Sequence, residues 1–246
     1  MLKIITIITK FILVALTALL FASCNQSINL KSITGSGRVT TENRTVQGKF
    51  KSIEVSNAID LIIEQSNKTE ISVTADDNLQ KNITTKVENG VLIVACDYDS
   101  FIDIKSKQVS IKMPIIESLS AASAASIASV NTLKSEKIVL KTSSASNLYL
   151  KIESDYIACK TSSGSSITIE GMALRLKVTA SSGSTVDAHD LLANEVDATT
   201  SSGANISVHP IVSLKAKASS GSAIDYNTIP KSLEKKSSSG ASVDKI

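Results

Sequence analysis

The chain has 246 residues, enough for one large β domain or two small ones, and a net charge of +3, so composition gives no case for nucleic-acid binding. It has no Trp, four Tyr and four Phe, so any core must be built from Val, Ile, Leu and Ala. Apolar residues are interleaved regularly with abundant Ser and Thr, which excludes a disordered Ser-rich tract.

In chain order, the first feature is an address. Lys3 and Lys10 precede the apolar run FILVALTALLF, followed by Ala22, Ser23 and Cys24. This order of basic, apolar and small residues predicts a signal peptide over 1–23, and the run is too short for a membrane span, which needs about 20 apolar residues. The stretch FASC resembles a bacterial lipobox, with Phe21 in place of the usual Leu and Cys24 as the residue that takes the lipid. Losing Lys3 and Lys10 lowers the net charge from +3 to +1. Residues 24–34 read as the anchor and linker. Cys96 and Cys159 then remain, and one pair this far apart carries no disulfide-framework signature, so two buried thiols are expected.

Residues 35–117 are strand-rich. FKSIEVS, AIDLIIEQ, TEISVTA, NGVLIVAC and QVSIKMP alternate or run apolar between Asn, Asp, Gly and Lys turn signals. They predict irregular first rungs or a capping sheet, with no corner motif and no linker before residue 118.

Residues 118–246 repeat. The motif Ser-Ser-Gly recurs with its glycine at Gly164, Gly183, Gly203, Gly221 and Gly240, spaced by 19, 20, 18 and 19 residues. Degenerate copies centre on Ala124 and Ala145. One residue before each centre stands a serine: Ser123, Ser144, Ser163, Ser182, Ser202, Ser220 and Ser239. Three residues after it stands an aliphatic: Ile127, Leu148, Ile167, Val186, Ile206, Ile224 and Val243. Five before, the column is apolar except at Lys235; four before, it is Lys or Thr except at Ser120. Odd offsets point inward and even ones outward, a period of two that a helix would scramble. The expected fold is all-β, a single-stranded parallel β-helix with rungs of about 19 residues, whose small corner residues turn inward at a bend too tight for anything larger.

GSGRV at 35–39, FKSIEV at 50–55, ADDNL at 75–79, VENGVLIV at 87–94 and IKMP at 111–114, followed by Ser-rich rungs, together resemble the putative auto-transporter adhesin, head GIN domain family. The resemblance covers about 35–240 and implies a right-handed parallel β-helix in an envelope protein of the Bacteroidota type, with no established activity and no functional residues to carry over. Unlike an autotransporter, no barrel sequence is expected after the last rung. Lipoproteins sent to the outer face in such bacteria resemble one another in acidic residues after the cysteine; NQSINLKS has none, so the expected place is the outer membrane, facing the periplasm.

Chemistry-bearing candidates are few. His189 and His209 both lie six positions after their centre, with Glu170 in the same column below and Asn227 above, and stacked strands could make a metal site of them. A solvent-exposed stack is the plainer reading. Asp187, Asp225 and Asp244 share an outward column, interrupted by Thr168 and Ser207, which is not the clustered acid pair a glycosidase needs. The outward serines lack the strict Thr regularity of an ice-binding array. Lys231, Lys235, Lys236 and Lys245 crowd the last rung, where Lys blunts an open strand edge or meets a partner subunit. The expectation is therefore a non-catalytic, adhesin-like structural or binding module without a cofactor. Its partners would be the membrane through the lipid, a glycan or an envelope protein, not nucleic acid, and a second copy could dock at the solenoid end. A carbohydrate-active enzyme is the alternative.

Overall fold

A computed structural model describes residues 8–12, 14 and 31–246. Residues 8–12 and 14 are helical and exposed, and they belong to a unit, 1–31, separate from 32–246. Cys24 and most of the expected signal peptide lie outside the described residues. Among those described, no helix is long and apolar enough to cross a membrane.

The larger unit is a β-solenoid of about seven turns with rungs of about 19 residues. Ten strands build its regular part: β10 (Ser118–Ala121), β11 (Ser126–Ser129), β12 (Leu133–Thr142), β13 (Asn147–Thr161), β14 (Ser166–Ala180), β15 (Thr185–Thr200), β16 (Asn205–Ala218), β17 (Ala223–Tyr226), β18 (Ser232–Ser237) and β19 (Ser242–Lys245). Every pairing among them is parallel. The sequence columns are the register: Leu148 sits on Ile167, Ile167 on Val186, Val186 on Ile206, Ile206 on Ile224 and Ile224 on Val243. All are buried, as are Leu119, Leu140, Cys159, Val178, Ala198 and Ala216 of the second inward column. Each fully buried aliphatic contributes about 1.5–3 kcal/mol relative to exposure, and stacking like on like at about 4.8 Å repeats that gain on every rung.

The corners obey a conformational rule rather than a spatial one. The serine before each centre and the central residue itself both have positive φ, for example 57° at Ser163 and 67° at Gly164. Two successive left-handed residues are what a type I′ turn requires. These serines are exposed, and a Cβ added at Gly164 or Gly183 would meet nothing within 4 Å. The inward small residue lies instead one position later: Ser146, Ser165, Ser184 and Ser222 are buried, each donating its hydroxyl to the carbonyl three residues back. Where that residue is Ala125, Ala204 or Ala241, its backbone N–H makes the bond instead. The corners also stack, because the Gly164, Gly183, Gly203 and Gly221 N–H groups donate to Ser182, Ser202, Ser220 and Ser239 carbonyls of the next rung.

The first half holds β1 (Ser32–Thr34), β2 (Val39–Arg44), β3 (Ser52–Val55), β4 (Asp60–Gln65), β5 (Glu70–Asp76), β6 (Ile83–Glu88), β7 (Val91–Cys96), β8 (Ser100–Ile102) and β9 (Lys107–Met113). β3 and β4 form a rung directly against β10 and β11. Their junction has the same corner, with φ of 58° at Asn57 and 52° at Ala58, and the Ala58 N–H bonds Ser123. The expectation that this half lacks a corner is thus corrected: Ile53 and Leu61 already stand at the column offsets, and Asn, which tolerates the left-handed region, replaces Ser. On the far side of β3 and β4 lie β7 and β9, also parallel to them. Beyond these, β6 pairs antiparallel with β7, β5 with β9, and β2 with β5, closing that end of the stack. β1 pairs with β8 in the excursion that replaces a corner between β7 and β9.

Candidate functional site

The regular register breaks three times in this region. Between β14 and β15 it shifts between Thr168 and Gly171, and between β15 and β16 it shifts between Ala188 and Leu192 and again between Ala193 and Glu195. The extra residue of the 20-residue spacing is taken up here, so Leu192, not His189, faces His209. Gly171 has a φ of 121°, and a Cβ there would lie 2.2 Å from the Ile152 carbonyl oxygen. No other residue type fits that approach.

These shifts undo the expected histidine stack. His189 turns its ring to Asp187 (Nδ1 to Oδ1, 2.5 Å) and Asp190 (Nε2 to Oδ2, 3.0 Å). His209 Nδ1 lies 3.2 Å from the His189 carbonyl and 3.0 Å from Asn227 Nδ2. Glu170 pairs with Lys151 at 2.6 Å. Glu170, His189 and His209 do not converge as a ligand set, and no group of three or more His, Cys, Asp or Glu suited to a metal occurs among the described residues. The carboxylates beside His189, Asp187 first, hold its imidazole above the ordinary value of 6.5.

The side chains around this break line a cavity of about 300 Å³, bounded by Tyr149, Lys151, Thr168, Glu170, Asp187 and His189. Tyr149 is 53% exposed, whereas Tyr226 is buried. On the neighbouring edge a wider hollow of about 620 Å³ runs from Lys134 and Glu153 to Met172, Leu174, Leu192 and Ile211. Those four apolar side chains are between 41% and 54% exposed. Composition does not reveal this ridge, because its residues fall at the offsets where rungs differ in length.

Other polar groups are structural. Asp76 is fully buried and accepts backbone N–H bonds from Gly37, Lys105 and Ser106 at 2.8–3.0 Å. Burial pushes its carboxyl up, and these donors more than offset that, leaving it below 3.8. Lys107, nearly buried, donates to the Asn57 carbonyl and lies 3.1 Å over the Phe101 ring; desolvation lowers it to about 8. Cys96 and Cys159 are free and buried, and burial pushes Cys159 up to about 12. Asp225 and Asp244 are register neighbours; burial first, then the Asp244 charge, raises the Asp225 carboxyl, and neither residue lines the cavities above. At the last rung Lys235 breaks the inward column: its ammonium sits 4.7 Å over the Tyr226 ring and donates to the Val243 carbonyl.

The arrangement defines a class, a parallel β-solenoid closed at one end by antiparallel strands. Within that class, the chain belongs to the family described as putative auto-transporter adhesin, head GIN domain, whose profile matches residues 49–230. No curated protein matches it. Among solved structures, it is similar to a "putative adhesin" from Bacteroides fragilis, with a TM-score of 0.81 at 18% identity, over 87% of this chain and 100% of that one. A "putative lipid binding protein" from Parabacteroides distasonis gives a TM-score of 0.73 at 20% identity, over 88% of this chain and 100% of that one. A "putative adhesin" from Parabacteroides merdae gives 0.69 at 18%, over 88% and 99%. At such identities these neighbours speak to the fold.

Proposed function

We propose that the protein is a non-catalytic, adhesin-like binding module of the cell envelope, held to the outer membrane by a lipid on Cys24 and facing the periplasm. The observation that carries this reading is the ridge of Met172, Leu174, Leu192 and Ile211 along the solenoid edge. A contiguous exposed apolar patch of this kind marks an interaction surface. The family description and the neighbours' names, adhesin and lipid-binding, point the same way. The carboxylates of the smaller cavity, Glu170, Asp187 and Asp190, serve ion pairs with Lys151 and His189 rather than forming a free acid and base.

The test joins two measurements. A Cys24→Ala variant should lose labelling by a fatty-acid probe and move from the membrane to the soluble fraction. The folded module should bind isolated envelope preparations, and the L192D/I211D pair should bind about tenfold more weakly with an unchanged unfolding midpoint. Binding that ignores both substitutions, or new reducing ends when the protein is incubated with envelope polysaccharides, would overturn the reading.

A further inference from the structure

We propose that the slot between Tyr149 and Asp187 is a binding subsite for one or two rings of a neutral sugar. The inference rests on the binding-module reading and gives it a ligand class and a place distinct from the apolar ridge.

The register fixes the slot. On one outward column Tyr149 is followed by Thr168 and then Asp187, on three successive strands. At about 4.8 Å per rung, the tyrosine and the aspartate stand about 9.6 Å apart with only a threonine between them. Below Tyr149 the column holds Ala128. The ring therefore has small register neighbours on both sides, Ala128 and Thr168, and is half exposed. Lys151 and Glu170, joined across the rungs at 2.6 Å, form a second wall, and His189 with Asp190 closes the far end. The space, an open slot of about 300 Å³, is at the lower end of the ~300–1,000 Å³ usual for small-molecule sites.

This set of groups suits a pyranose. One face of such a ring carries axial C–H bonds and packs on an aromatic face, while its hydroxyls radiate from the rim toward acceptors and donors. Tyr149 supplies the first; Asp187, Glu170, Lys151 and His189 supply the second. These rim groups are held in place before any ligand arrives, because each is already paired: Asp187 meets His189 through Oδ1, and Glu170 meets Lys151. Preorganised polar groups lose little entropy on binding. The charges around the slot are those of Lys151, Glu170, Asp187, His189 and Asp190. Whether His189 is charged or neutral, the sum is negative, which disfavours uronic acids, sialic acids and phosphorylated sugars. A peptide is poorly served here as well. Peptides add to sheets through a free strand edge, and β13, β14 and β15 are paired on both sides except at the breaks between Thr168 and Gly171 and between Ala188 and Leu192, which are too short to take an added strand.

The test is a titration of the folded module with methyl glycosides of glucose, galactose, mannose and N-acetylglucosamine and their disaccharides, beside glucuronic acid. Tyrosine fluorescence reports directly, since the chain has no Trp and four Tyr, and calorimetry gives the affinity. At least one neutral sugar should bind. Tyr149→Ala should weaken it about tenfold or more and Tyr149→Phe by less than about threefold, both with unchanged unfolding midpoints. Affinity indifferent to Tyr149→Ala, preference for the acidic sugar, or no sugar binding would overturn the subsite. In that event, continued envelope binding that L192D/I211D weakens leaves the binding-module reading standing; loss of that binding as well would sink both.

Discussion

Ser163 and Gly164 illustrate what a corner demands of single residues. Both sit in the left-handed region, where a side chain costs roughly 1–2 kcal/mol, yet Ser163 is exposed and a Cβ at Gly164 would meet nothing. The natural copies at Ala124 and Ala145 bear that strain at φ of 60°. Ala145→Gly is therefore expected to stabilise the protein and Gly183→Ala to destabilise it, each by about 1 kcal/mol, read from the urea midpoint at constant slope. Asp76 makes a different demand. Its carboxyl titrates below 3.8 in the folded chain, so the stability it contributes is complete above that value and is lost as pH falls through the folded value. The melting temperature should drop on that acid limb, and an Asp76→Asn variant should begin lower and show a flatter limb. Cys159, pushed up to about 12 by burial, should resist alkylation at neutral pH until the chain unfolds; prompt labelling of the native protein would contradict its place in the core column.

At the scale of elements, Gly171 decides how β14 meets β15. Its backbone approaches the Ile152 carbonyl so closely that any Cβ must displace a strand. Gly171→Ala should cost about 3 kcal/mol, well beyond the corner glycines, and the difference in denaturation midpoints tests whether close approach or φ matters more. The same junction shows where sequence reading succeeds and stops. Columns such as Ile167, Val186 and Ile206 are visible because the inward pattern repeats on both sides of each corner and burial tolerates no slip. The true placement of His189 relative to His209 is not, although a signal is present: spacings of 20 and then 18 residues require an extra residue to bulge out, and it does so at the histidine itself. Counting offsets from the corner assumes that the insertion lies further along. In the first half, short alternating strands look alike whether they pair parallel or antiparallel, so the pairing of β5 with β9 has no sequence signature, while the Asn57–Ala58 corner has one in Ile53 and Leu61. Of the candidate slot, Tyr149, Thr168 and Asp187 can be placed on one column from sequence; the wall formed by His189 and Asp190 cannot.

For the whole molecule, the two ends differ. One is closed by β2, β5 and β6; the other leaves β18 exposed along its length, with Lys235 laid over Tyr226 and bonded to Val243. Amide exchange should accordingly be fastest at 232–237 and slow toward β13, β14 and β15, whose hydrogen bonds are made on both edges. A uniform profile would mean the rungs open together. The order of the stack carries a further consequence. β7 and β9 lie outside β3 and β4 although they come later in the chain, and β10 and β11 return to the other side of β3 and β4, whereas from β12 onward each rung joins the one just made. The first half must therefore close a long loop before it gains any stability, and the second half has only short loops to close. Growth of this protein resembles that of a filament, in which a costly seed spanning residues 39–113 is followed by cheap elongation, so a lesion in the seed should abolish folding while one in a late turn should merely shorten the rod.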